Sequence, residues 1–196
     1  MKENNVFFKG VIYLTLVALI IGIIMDVIFG AYYRAIIWVA FILILIILLR
    51  IKRIPLIIHF SLAMLLIVAI LGEYFFYNSI PFFDKIVHFI SPLIICNLIY
   101  HLFKKKIKNK KMLILFCIVS FITISVIWEI AEYGFDGLVS SNMQGVYFTK
   151  GEFFGVYERQ YEPVQSEIDD TMTDLIFGFL GACIFGIYSV FKKNKK

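Results

Sequence analysis

Apolar runs near the length needed to cross a hydrocarbon core, about 20 helical residues, divide the chain at approximately 8–28, 31–49, 55–71, 85–103, 112–131 and 171–191. The tight Arg50-Ile51-Lys52-Arg53 turn lies between the second run and the third, which predicts an antiparallel helical hairpin. The first run is too long for the core of a secretory signal, and no small-x-small cleavage site follows, so it reads as a span. The pattern predicts an all-α fold, a polytopic membrane helical bundle of six transmembrane helices. It forms a single integral membrane domain over 1–196, with a long extracytoplasmic loop at 133–168 between the fifth and sixth spans.

Composition agrees: 61% hydrophobic and 17% charged residues in 196 exclude an ordinary soluble domain. Cys96, Cys117 and Cys183 all lie inside apolar runs, with neither zinc-site spacing nor the loop placement of a disulfide framework. They read as buried small hydrophobes.

The net charge of +5 does not point to nucleic acid, because the lysines crowd against the ends of apolar runs. With both termini on one side, that side receives Lys2 and Lys9, Arg50, Lys52 and Arg53, six lysines of 104–111, and Lys192, Lys193, Lys195 and Lys196. That is 15 of the 19 basic residues, leaving Arg34, Lys85, Lys150 and Arg159 opposite. The positive-inside rule makes the lysine-rich face cytoplasmic. The expected location is a bacterial plasma (inner) membrane, crossed several times, with cytoplasmic N- and C-termini.

The acids segregate the other way, with Glu3 alone of the 14 on the lysine-rich side. Tolerance of acids by non-cytoplasmic loops is one explanation, and a shared site is another. The fourth span begins with Asp84 and His88 one helical turn apart. The fifth ends with Glu129, Glu132, Tyr133 and Asp136 at the spacing of one helical stripe, and the sixth begins with Asp170 and Asp174. A carboxylate near a helix centre in a bilayer costs about 2.5 to 3.5 kcal/mol on insertion scales, so such groups ordinarily face a partner or a cavity.

Carboxylates gathered in low dielectric repel one another unless a cation, raised pKa values or water compensates them. A divalent metal does so most simply, and acid-rich sites with one imidazole suit Mg²⁺, Mn²⁺, Ca²⁺ or Zn²⁺. The candidate ligands are Asp84, His88, Glu129, Asp170 and Asp174. Glu132 is the candidate general base or supporting partner, and His88 a candidate catalytic group as well. Gly178 and Gly181 follow on the last span, where small residues allow a neighbouring helix to approach.

Pro92 removes the helix bond that the His88 carbonyl would accept, leaving either an ordinary kink or a functional opening. The loop repeats Gly145-Val146-Tyr147 as Gly155-Val156-Tyr157 around Lys150-Gly151, the pattern of a small hairpin. It reads either as a lid over the acids or as an aromatic segment lying at the interface. His59 reads as a hydrogen-bonded core histidine, His101 as interfacial, and Asp26 and Glu73 as span-end acids in reach of water. No Walker, nucleophile-elbow, HExxH or dinucleotide motif is present.

These motifs resemble the YjdF-like family of bacterial inner-membrane proteins and, more distantly, the VanZ-like family. Asp84-Lys85-Ile86-Val87-His88-Phe89 matches their Asp-Lys/Arg-x2-His-Phe opening. Glu129, Glu132 and Tyr133 match the YjdF-like Glu-x2-Glu-aromatic, and Asp170-Thr171-Met172-Thr173-Asp174-Leu175 with Gly178 to Ala182 matches its closing motif. Ser166-Glu167 stands where such families have Gly-Asp. The resemblance implies that these residues form a site and leaves the reaction open.

Three function classes fit. One is a divalent-metal-dependent hydrolase or transferase on a lipid-linked or cell-envelope substrate. Another is an ion- or proton-coupled transporter, and the last a non-catalytic membrane protein that uses its acid cluster structurally. Membrane lipid is the expected partner in all of them.

Overall fold

The computed structural model describes residues 2–77, 80, 82–139, 143–144, 147–149, 161–163 and 165–192. The expected helices are all present: α1 (Lys2–Ile28), α2 (Tyr32–Leu49), α3 (Leu56–Leu71), α4 (Phe83–Phe103), α5 (Lys110–Val139) and α6 (Glu167–Phe191). Among the described residues, these six are long and apolar enough to cross a membrane. Besides these, the described residues form a π-helical turn, Gly72–Phe76, which continues α3 to complete the third span, and a two-stranded antiparallel ribbon, β1 (Tyr147–Thr149) with β2 (Tyr161–Pro163).

Helix α5 runs eight residues past the expected end at Ala131, and α6 starts four before Thr171. Their connection is therefore 140–166 rather than 133–168. The first turn of α6 is held by Ser166, whose hydroxyl accepts from the Asp169 amide at 3.1 Å. The hairpin exists, but its second strand lies beyond the Gly155-Val156-Tyr157 repeat, with Tyr147 paired to Pro163. Gly145, Val146, Lys150, Gly151 and 155–157 lie outside the described residues, as do Arg159, Lys193, Lys195 and Lys196.

Two groups of helices share the bundle. Helix α1 packs on α2 and α3, while α6 packs against α4 and α5; α3 joins the groups through α4. On α6 the buried positions are Asp170, Asp174, Gly178, Gly181, Ala182, Phe185, Gly186 and Ser189, one face at helical period. Its glycines set the approach distance. A Cβ on Gly181 would overlap the Phe89 carbonyl oxygen and lie 2.5 Å from the Pro92 ring, and one on Gly186 would lie 2.9 Å from Ile118.

The middle of the α4–α5–α6 group is filled by Cys96, Ile99, Leu113, Cys117, Phe121, Ala182 and Phe185. Cys96 and Cys117 are buried free thiols, as expected, and Cys183 is partly buried. The outward faces carry exposed Ile20, Ile36, Leu115, Ile127 and Ile176, while Asp26, Lys85, Glu129, Asp170 and Asp174 are buried. This apolar-out, polar-in arrangement is what hydrocarbon solvent demands.

Candidate acid and histidine site at the end of the bundle

Phe82 precedes α4 with φ 62°, a left-handed conformation unusual for a bulky residue. The chain turns there directly into the helix, putting Asp84 and Lys85 in its first turn. Asp174 stands opposite on α6, held close by the Gly181 contact beneath it. His88 Nε2 lies 3.4 Å from Asp84 Oδ1 and 4.0 Å from Asp174 Oδ1. Ligand atoms of Asp84, His88 and Asp174 all fall within 4.8 Å of one another, a separation a single metal ion can span.

The fifth helix brings the other acids. Glu129 is 4% exposed, and its Oε1 has no hydrogen-bond partner. Glu129 feels the charges of His88, Asp84 and Asp170 and the nearby Thr171 side chain. Glu132 in turn feels Glu129, Asp84 and Asp174. All three acid-bearing spans therefore face one region, as the shared side and depth of their acids led us to expect. Tyr133 does not share it: at 70% exposed it points outward, so the stripe with Glu129 and Glu132 is narrower than the spacing suggested.

Lys85 occupies the centre of the cluster. Its ammonium, 3% exposed, donates to Asp174 Oδ1 at 2.8 Å, to Asp84 Oδ2 at 3.2 Å and to Asp170 Oδ1. Sequence reasoning counted this residue as a charge on the wrong side for orientation and as part of the Asp-Lys-x2-His-Phe motif, and gave it no place among the candidate site residues. The available signal was its i, i+3 spacing to His88, which puts both on one helical side. Part of the compensation expected from a metal is thus built in.

The His88 carbonyl freed by Pro92 is met by the Ser91 hydroxyl, which donates to it at 3.3 Å. Met143 and Gln144 of the α5–α6 connection meet the same end of the bundle. Asp136 accepts from the amides of Met143 at 2.6 Å and Gln144 at 2.7 Å. The Gln144 side-chain amide then donates to Thr171 Oγ1 at 3.0 Å, so a buried connection residue touches the start of α6 beside Asp170.

A second cluster at the same end was not expected. Asp26, with no exposed surface, accepts from Arg34 Nη2, Trp38 Nε1 and the Tyr74 hydroxyl, each at 2.8 Å. Arg34 also pairs with Glu73. The expectation that Asp26 sits in reach of water is therefore corrected: α1, α2 and α3 bury it among donors. Tyr74 reaches it from a π-helical turn, Gly72–Phe76, closed by Tyr77 N donating to Gly72 O at 2.9 Å.

Tyr77 lies between the two clusters. Burial pushes its phenol well above the usual range, with the charges of Asp84, Glu73, Glu132 and Asp174 acting in the same direction. It is a neutral hydroxyl flanked by acids, and nothing in its local spacing marks it.

At the lysine-rich end, His59 is buried with Nε2 3.0 Å from the Leu48 carbonyl, while His101 pairs with its own helix through Asn97 O at 2.9 Å. Both agree with the sequence reading.

Neither a curated protein nor a solved structure matches the chain. Residues 7–195 match the family described as Predicted membrane protein (DUF2238), and the chain belongs to that family as a multi-pass membrane protein.

Proposed function

We propose that the protein is a membrane-embedded enzyme in which a divalent cation, held by Asp84, His88 and Asp174, serves a hydrolase or transferase reaction on a lipid-linked phosphate or cell-envelope precursor. The observation that carries this reading is the approach of three ligand atoms from two helices to within 4.8 Å. Two carboxylates and an imidazole suit Mg²⁺, Mn²⁺ or Zn²⁺. A bound cation would act as a Lewis acid on a phosphoryl or carbonyl oxygen.

Around it, the unpartnered Oε1 of Glu129 offers a further ligand. Asp170, committed through Oδ1 to Lys85, supports the cluster from the side. Glu132, which stands outside the three ligands, is the candidate general base or supporting partner. Lys85 adds fixed positive charge beside the ion, which suits an anionic substrate. The Gln144 contact supports a covering role for the connection.

Substrate access from the acid-rich side agrees with a bacterial inner-membrane location with cytoplasmic termini, which the lysine distribution supports. Within the family, we propose the YjdF-like proteins, and more distantly the VanZ-like proteins, as kin on the motifs at Asp84, Glu129 and Asp170.

Elemental analysis of purified protein tests the assignment. About one divalent ion per chain is expected after loading with Mg²⁺, Mn²⁺ or Zn²⁺. His88→Gln and Asp174→Asn should each lose that ion and the release of phosphate from a lipid pyrophosphate. Folded variants that keep both would remove the proposal.

One observation favours a second, non-catalytic reading: Lys85 already supplies a cation to three aspartates. The cluster would then clasp α4 to α6 without metal, and chelation would leave the melting temperature unchanged. A transport role has less support, because the apolar core below the cluster argues against a continuous polar path.

A further inference from the structure

At the opposite, lysine-rich end of the bundle, a recess of about 350 Å³ opens between the start of α1 and the α2–α3 turn. We infer that it binds the headgroup of an anionic phospholipid. The site lies away from the acid cluster and does not depend on its chemistry.

The walls are graded. Ile12, Ile54 and His59 are buried lining residues, whereas Lys9, Tyr13 and Lys52 are exposed at its rim. Two ammonium groups at the mouth of an apolar recess at a span end are the arrangement that draws acidic headgroups from a bilayer. Leu56, the first residue of α3, also lines the recess, and that helix begins at Pro55 without a side-chain cap. Its first-turn amides and dipole add further preference for an anion.

His59 lines the recess as well, 5% exposed, with Nε2 held 3.0 Å from the Leu48 carbonyl oxygen.

Lipid rather than free phosphate is the source the lining favours. Ile12, Leu49, Ile51, Ile54 and Leu56 give a soluble anion no gain, whereas they continue the surface that meets acyl chains, where Ile57 and Leu49 are exposed.

The test uses the full-length protein in nanodiscs, with bound lipid counted by native mass spectrometry. One phosphatidylglycerol per chain should be retained over phosphatidylcholine. Lys9→Gln with Lys52→Gln should weaken that retention about tenfold or more. Lys105→Gln with Lys108→Gln, which removes equal charge from the α4–α5 loop, should leave it unchanged. Equal loss in the two double variants would reduce the effect to general surface charge and overturn the site. Equal retention of phosphatidylcholine would overturn it as well, and so would protection by inorganic phosphate matching that by lipid.

Discussion

Lys85 shows how much one side chain can change the meaning of a cluster. Buried acids without a counter-ion call for an external cation, whereas the same acids around a buried ammonium have much of their repulsion already relieved. Breaking such a pair is costly because the remaining charges stay buried. Lys85→Met should lower stability by about 3 to 5 kcal/mol, read as detergent thermal unfolding with and without added divalent ion. Pairing it with Asp174→Asn should recover part of the loss, and a double variant no better than the single one would argue against direct coupling. The residue was legible in the Asp-Lys-x2-His motif, but its three partners were not, since two of them lie 85 and 89 positions away.

At the level of elements, the crossing of α4 and α6 controls the site. Pro92 and Gly181 meet there, and the absence of a side chain on Gly181 lets α6 lie directly on the Phe89 carbonyl. Gly181→Ala should separate the helices, destabilise by about 1 to 3 kcal/mol and weaken metal retention, because Asp174 is carried away from Asp84 and His88. Gly137→Ala is the matched control, since a Cβ there meets nothing within 4 Å. Equal effects of the two substitutions would show that packing at the crossing is not what matters. Helix existence and approximate ends were readable from hydropathy. The extension of α5 to Val139 was not, because Gly134 and Gly137 made its last turns look like loop.

For the whole molecule, the described basic residues on the acid-rich side are informative. Arg34 and Lys85 both sit in ion-paired clusters, one in each group of helices. These two departures from the positive-inside count are thus explained by internal partners rather than by orientation. The orientation itself predicts cysteine labelling. In intact cells a membrane-impermeant maleimide should modify Glu167→Cys and spare Lys105→Cys, which should react only after permeabilisation. The reverse pattern would invert the proposed topology and put the acid cluster on the cytoplasmic side.

Hydropathy and helical period act over neighbouring residues, so the chain alone determined the six helices, their apolar exterior and the segregation of acids and lysines to opposite ends. Spacing also brought Asp84 with His88 and Asp170 with Asp174, because residues four apart on a helix must share a side. Which side meets which neighbour is a different matter, set by the rotation and closeness of packed helices. That decided the placing of Lys85 among three aspartates, the burial of Asp26 beneath Arg34, Trp38 and Tyr74, and the turning of Tyr133 outward. Many pairings of acids and bases satisfy the same sequence, and close contact at a few small residues selects one of them.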